Sequence, residues 1–493
     1  MSSQKPDDSV YLSLDQGGHS SRVFAFDRQG RLLARAQQTV REQRPKPLWV
    51  EQDPVELVTS IRQCVDHIAN DPVLAGRPLV TAGLATQRAS VCCWNRRTSD
   101  ALTPVISWQD RRAHTWLEQF RPHAALIQQH TGLTLSAHYG VSKLRWCLEN
   151  VAAVQAALAR DELCFGPLAS FLLFSLLDEK PFQVDPANAS RTLLWNLHRN
   201  DWDPELLDLF QIPARALPQI CDTLTDYGTL TVGRQSVPVK LCTGDQSAAL
   251  YAHGAPQAQT AYVNIGTGAF VSTPCAAPPP DTAGLLCSLV FKTGDRRDYV
   301  LEGTVNGAGS ALDLQANQLN LSIETVYAKL NTWLQTETSP PLFLNGISGL
   351  GAPFWVPEFS SRFIGAGDAA AKMVAVAESV VFLMVIILQR MTRFSAIQTL
   401  QISGGMSRLD NLCQRLADLS GYAVIRTPEC EATSQGVAWL LAGNPENWLS
   451  TTQRTAFMPR ENQALVARFT HWHTELLAAL GHQQREADSG TST

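Results

Sequence analysis

The chain has 493 residues, 45% hydrophobic and 17% charged, enough apolar material for large cores and too much for global disorder. Its 40 basic and 45 acidic side chains leave a net charge of −5, which argues against a nucleic-acid or anionic-membrane binder. Its 11 cysteines, an odd number with no C-x-x-C pair, argue against a disulfide framework or a zinc site and fit a reducing compartment.

Residues 10–14 read as a strand, followed by the turn Asp15-Gln16-Gly17-Gly18-His19-Ser20-Ser21 and a second strand over 22–26. Asp27-Arg28-Gln29-Gly30 turns the chain into a third strand from Arg31. No helix follows these glycines, so the start is a hairpin meander and not a dinucleotide-binding fold. Pro54–Ala69 reads as a helix, and Leu79–Thr86 as a strand ending on Gln87-Arg88-Ala89. A short strand over 104–107 precedes Trp108-Gln109-Asp110-Arg111-Arg112. The strand 237–242 leads through Gly244-Asp245-Gln246 into the helix-like 247–253. Thr260–Ile265, the turn Gly266-Thr267-Gly268 and a returning strand over 269–272 then repeat the strand–glycine turn–strand pattern. The repeat lies about 250 residues after the first, far too long for a solenoid and suited to two related α/β domains facing each other. Residues 251–259 mark the border, giving domains of 1–253 and 254–493. The apolar run 380–388 is nine residues long, whereas a membrane span needs about 20. It is therefore a buried helix, in a core or against a second subunit, and a homodimer is left open. The first ten residues lack the apolar stretch of a signal peptide, so a cytoplasmic location is expected. The polar tail after His482 is expected to fray.

A glycine-rich turn carrying hydroxyls offers several N–H groups to one anion, which suits phosphate. Two such turns on two domains could clamp a triphosphate, with Asp15 holding Mg²⁺ through water. Alternatively each is an ordinary hairpin turn. In Ser403-Gly404-Gly405-Met406-Ser407 the glycines would let a flat base approach the backbone, or simply turn a strand into a helix. There is no G-x-x-x-x-G-K-[ST] motif, which excludes a P-loop NTPase. Asp245, at a strand end on the domain border, suits a base accepting a proton from a substrate hydroxyl, or a helix N-cap. Arg88 and Trp108 could supply a donor and an apolar wall for a polyol. Alternatively, Arg88 pairs with Asp110 and Trp108 is core.

These segments carry a resemblance to the FGGY family of carbohydrate kinases, closest to its glycerol kinases, in one order from about Val10 to Gly443. It rests on YLSLDQGGHSSR (11–22), PKPLWVEQDPVEL (45–57), TQR (86–88), WQDRR (108–112), VSKLRWCLEN (141–150), NASRTLLWN (188–196), GDQSAAL (244–250), NIGTGAF (264–270), GLGAPFW (349–355) and SGGMS (403–407). The resemblance implies two ribonuclease-H-like (actin-like ATPase) domains flanking a cleft. ATP would lie mostly on the C-terminal domain and a small sugar or polyol mostly on the N-terminal one. It implies Asp245 as general base and Asp15 at the magnesium position. Gly18, His19, Ser20 and Arg22 fall at the first phosphate loop and Gly266 and Thr267 at the second, with Gly309, Asp313 and Gly405 at nucleotide positions. Arg88, Trp108, Gln246 and Phe270 match substrate-pocket positions.

Departures from the glycerol kinase pattern bear on the substrate. Gly18 and His19 stand where two threonines are usual, Ala89 where a glutamate is usual, and His138 where a tyrosine is usual. Asp313 replaces a glutamine, and Leu409 an asparagine. Losing the carboxylate at 89 should cost glycerol on the order of 1.5–3 kcal/mol of binding. His138, at an ordinary imidazole pKa of about 6.5, should add a pH dependence near neutrality. Three functions follow: an ATP-dependent kinase for a polyol or sugar larger than glycerol, a glycerol kinase with a rearranged pocket, or a non-catalytic ATP-binding sensor or scaffold.

Overall fold

In this computed structural model, residues 8–427, 431–445, 448 and 454–490 are described, and side chains up to residue 482. The first sheet comprises β1 (Val10–Gln16), β2 (Ser20–Phe26), β3 (Leu32–Thr39), β4 (Leu79–Thr86), β5 (Leu224–Val232) and β6 (Gln235–Gly244) in the order β5-β6-β4-β1-β2-β3. β1, β2 and β3 form the antiparallel meander, while β4 runs parallel to both β1 and β6. The carboxyl ends of β1, β4 and β6 therefore meet at one edge, where Asp15, Thr86 and Gly244 lie in near register. Helix α1 (Pro54–Ala69) covers this sheet. Asp53 caps it by accepting from Val55 N (2.8 Å) and Glu56 N (3.3 Å), and Leu57, Ile61, Cys64, Val65 and Ile68 make its buried stripe. Helix α2 (Asp245–Ala249) starts directly from β6 and is shorter than the sequence suggests, because 250–254 continue as turns.

The second sheet comprises β7 (Thr260–Ile265), β8 (Ala269–Cys275), β9 (Leu286–Thr293), β10 (Arg296–Val305), β11 (Thr399–Ser403), β12 (Ala423–Arg426) and β13 (Thr455–Phe457), ordered β9-β10-β8-β7-β11-β12-β13. Its strands β10-β8-β7 are antiparallel, and β7, β11 and β12 are parallel. The series β3-β2-β1-β4-β6 and β10-β8-β7-β11-β12 thus have the same sense throughout. This is the two-domain α/β arrangement, flanking a cleft, that the paired hairpins suggest.

Helix α3 (Gly309–Gln318) follows β10, and α4 (Ala369–Met391) runs through the centre of the second core. Among the described residues α4 is the one helix long and apolar enough to cross a membrane, but 94% of its apolar window is buried inside this chain. Val380 to Leu388 are all buried, which decides between core and subunit interface in favour of core. Glu378, the one acid on α4, is 2% exposed and bound by both Arg415 and Arg468. The last helix, Gln463–Gly490, runs past His482, where fraying was expected; Gln, Arg, Glu and Ala after that point are good helix formers.

Helix α5 (Ala432–Leu441) crosses back to the first sheet. Val437 lies over Gly83 of β4, and Gly436 lies against the Ala248 carbonyl of α2, where no Cβ would fit. Trp439 stacks on Tyr251 at 5.7 Å. The join rests on Gly436, with the small Ala432 and Ser434 on the same helix, which lets two backbones touch.

Candidate active site

The first turn is tighter than the sequence suggests. β1 extends to Gln16 and β2 begins at Ser20, so only Gly17, Gly18 and His19 turn. Gly17 N donates to Ser20 O (3.0 Å), and the space beside Gly18 is open. His19 is exposed, and its carbonyl accepts from Val40 N (3.0 Å). Arg22 bridges from this turn: one nitrogen lies 2.7 Å from Asp15 Oδ2 and another 2.7 Å from Glu431 Oε2, at the start of α5.

Asp15 is 2% exposed. Burial pushes its carboxyl up to about 7; Arg22 opposes, while Asp245 and Glu431 push the same way. Asp245 opens α2 from the facing strand end. The cap position belongs to Gly244, with no side-chain cap bond, so Asp245 is not an N-cap. Its Oδ1 accepts from Gln246 N (2.6 Å), and its carbonyl from Thr433 Oγ1 (3.3 Å) on α5. Burial raises its carboxyl above the ordinary value, against the pull of Arg88, Arg191 and Arg22. Gln246 beside it is exposed.

Arg88 does not pair with Asp110. Asp110 is held by Arg112 at 2.7 Å, as part of a buried cluster in which Arg112 also binds Glu51 (2.7 Å). Arg88 instead faces Glu302 of β10 at 3.7 Å, and Arg191 binds the same carboxylate directly. Burial works to raise Glu302, and the two guanidiniums overcome it, holding the carboxyl below its ordinary range. Tyr139 lies in the same group, its phenol raised by burial and pulled down by Arg191. Phe270 is 39% exposed; it lies two residues before Ser272, the register partner of Glu302, and so on the same face of the second sheet.

Trp108 is 39% exposed and so not a core residue. Its ring centroid is 6.3 Å from that of His138, whose Nδ1 lies 3.3 Å from Trp108 O. His138 reaches water, yet its ring sits in a crevice walled by protein. Desolvation, then the nearby Lys143, pushes it down to about 4, so it does not titrate near neutrality as its residue type suggests. Lys143 is itself buried and donates to Ala137 O, His138 O and Tyr139 O (3.0, 2.7 and 3.2 Å). Ala89 is 8% exposed and takes a left-handed φ of 64°.

The second turn is tied to the start of α3. Gly309 N donates to Gly266 O (2.9 Å), Ala308 N to Thr267 O (3.0 Å), and Ser310 Oγ to Thr267 O (3.0 Å). A Cβ on Gly309 would come within 2.8 Å of Gly266 O. Gly404 has φ 90° and presses on Ile265, and the space beside Gly405 is open. Asp313 lies exposed one turn along α3. The arrangement offers backbone donors from both turns, two acidic groups and a guanidinium along one cleft.

Residue-by-residue reading missed Glu302, Arg191, Tyr139, Lys143 and Glu431. A usable signal was present for Glu302, a lone charge in the apolar stretch Tyr299-Val300-Leu301-Glu302. Nothing local marked Glu431.

Models of the N-terminal and C-terminal domains of the FGGY family of carbohydrate kinases match residues 10–252 and 261–443. The chain belongs to this family and is an ATP-dependent carbohydrate kinase. It is 33% identical to a glycerol kinase of Polaromonas naphthalenivorans, covering 96% of this chain and 98% of that one. It is also 33% identical to one of Alkalilimnicola ehrlichii, covering 95% and 98%. A Plasmodium falciparum glycerol kinase solved with ADP has the same fold, with TM-score 0.86 at 22% identity over 96% of this chain and 98% of that chain. A xylulose kinase from Rhodospirillum rubrum matches at TM-score 0.84 and 18% identity, over 96% and 99%.

Proposed function

We propose that the protein transfers the γ-phosphate of ATP to a hydroxyl of a polyol or sugar longer than glycerol. The observation that carries this reading is at Arg88 and Ala89. Arg88 Nη1 is buried and makes no hydrogen bond, Glu302 standing 3.7 Å from it, and the small Ala89 next to Arg88 brings no acceptor. A further hydroxyl on a fourth or fifth carbon would answer that donor, where Ala89 brings no side chain large enough to do so.

Asp245 acts as general base. The acceptor oxygen attacks the γ-phosphorus, its proton passes to Asp245 and ADP leaves. A carboxyl raised by burial is a better base for an alcohol proton. Arg88, Gln246, Trp108, His138 and Phe270 hold the acceptor, and Glu302, itself bound by Arg191, faces Arg88. Gly18, His19, Ser20 and Arg22 on one side, and Gly266, Thr267, Gly309, Asp313 and Gly405 on the other, receive the nucleotide. Asp15 fits Mg²⁺: a buried carboxylate at the end of β1 offers hard oxygen, and a cation there would join Arg22, 2.7 Å from its Oδ2, in offsetting the charge that Asp15 shares with Asp245 and Glu431. Among the described residues no three acidic, His or Cys side chains cluster as a metal cage. Mg²⁺ there would offset the charge gathering on the transferred phosphoryl group.

Glycerol phosphorylation by a rearranged pocket is the second reading, favoured by the glycerol kinase relatives and by Trp108, Gln246 and Phe270. The sensor reading has no such support, because Asp15, Asp245 and Arg22 stand together as a working set. The test is ADP release over three- to seven-carbon polyols and ketoses, with Asp245→Asn as control. The variant should bind nucleotide and lose turnover by about a hundredfold or more. Glycerol as the best acceptor would leave the second reading standing, and no acceptor at all would leave the third.

A further inference from the structure

Beneath the cleft, four buried polar groups join the first phosphate turn to the wall at Trp108. Trp108 N donates to Ser90 Oγ (3.0 Å), and Ser90 Oγ to Gln87 Oε1 (3.1 Å). Gln87 Nε2 donates to Gln52 Oε1 (2.7 Å), and Gln52 Nε2 to the Gly18 carbonyl (2.7 Å). Gln87 Nε2 also reaches Gln16 Oε1 (3.1 Å), whose own Nε2 donates to the Gly17 carbonyl (2.6 Å). Gln16, Gln52, Gln87 and Ser90 are all 3% exposed or less.

The ends dictate the direction of this chain. Gly18 O can only accept, so Gln52 must present its nitrogen there and its oxygen to Gln87. Gln87 must then present its nitrogen to Gln52 and its oxygen to Ser90. Ser90 must donate, which frees its lone pairs for the Trp108 N–H, a group that can only donate. Every dipole points the same way, so each bond strengthens the next. Turning one amide over would set oxygen against oxygen in a dry interior and leave both neighbours unmet.

We propose that Gln52, Gln87 and Ser90 are positioning residues that make the phosphate turn and the acceptor wall move as one unit. This rests on the reading of Gly18 as a phosphate turn and Trp108 as an acceptor wall. None of the three needs to touch either ligand. An anion drawn onto the N–H groups of residues 18 and 19 fixes the two carbonyls of that turn. The chain then fixes the backbone at Trp108, and with it the His138 ring beneath.

The test is hydrogen exchange of the whole chain with and without a non-hydrolysable ATP analogue and Mg²⁺, in wild type, Gln87→Met and Ser90→Ala. Gln87→Met leaves the Trp108–Ser90 bond in place, and Ser90→Ala is the milder change should the first not fold. In wild type the analogue should slow exchange at 17–20 and also, by about threefold or more, at 107–110. In the variants the slowing at 17–20 should persist and that at 107–110 should vanish, with KM for the acceptor raised more than kcat falls. Slowing at 107–110 that survives in the variants, or is missing in wild type, would make the chain structural only. No slowing at 17–20 in wild type would overturn the phosphate-turn reading itself, and the coupling with it.

Discussion

Asp15 should make the protein less stable than it need be. Its folded carboxyl titrates at about 7 against an ordinary 3.8, so between these values the folded state binds the more protons. Stability contributed at this site therefore falls as pH rises through that window and levels off above about 7. At 1.36 kcal/mol per pH unit, the cost is about 1.5 kcal/mol at pH 5 and about 4 kcal/mol at pH 8. Asp15→Asn keeps the shape and removes the charge, and Arg22 keeps Glu431 as a partner at 2.7 Å. The variant should thus gain about 2–3 kcal/mol more at pH 8 than at pH 5, read as a Tm rise larger by ~5 °C for a body of roughly 240 residues. The same variant should lose phosphoryl transfer, because the carboxylate at the metal position is gone. Thermal melts of both proteins at the two pH values, without nucleotide, give the answer. A Tm at pH 8 equal to or below wild type would mean that the Arg22 pair outweighs desolvation, and the reasoning would fail.

Ala89→Glu should restore one charged hydrogen bond to a three-carbon acceptor and shift the glycerol-to-pentitol ratio of kcat/KM by about tenfold toward glycerol; an unchanged ratio would remove position 89 from substrate choice. His138→Gln should leave the pH–rate profile unaltered between about pH 6 and 8, since a ring pushed down to about 4 is already neutral there; a lost limb near 6.5 would contradict the crevice. Val385→Asp buries an uncompensated carboxylate on α4 and should give insoluble or unfolded protein, by gel filtration and circular dichroism. A soluble folded monomer would speak for an interface instead.

What the sequence makes legible here is local. The two glycine turns, the meander around Asp15 and the strand end carrying Asp245 depend on neighbours within ten residues, and each sits where its residues suggest. The pairing of Arg88 does not. Asp110 is near in sequence but already committed to Arg112, while the actual partner, Glu302, lies on the other sheet. The same holds for Arg191 and Glu302, and for Arg22 and Glu431, which meet across the cleft. His138 shows a different limit. Its residue type suggests a switch near neutrality, and only the walls around it and the buried Lys143 charge reveal that it has none. The amide chain below Trp108 was invisible for both reasons, since glutamines carry no charge to notice and three segments must fold before they touch.

The return of α5 has a consequence for how the molecule is made. The first sheet is spelled out by residue 244, yet Phe24, Ala85, Leu241 and Ala248 find their cover in Val437, Ala438 and Leu440. A ribosome must add nearly two hundred more residues before that cover emerges. Throughout that interval the nascent first half presents a sticky apolar face, and must be sheltered or stay loosely formed. The second half meanwhile can build its core around α4. The amino-terminal body, first to be translated, is therefore the last to close.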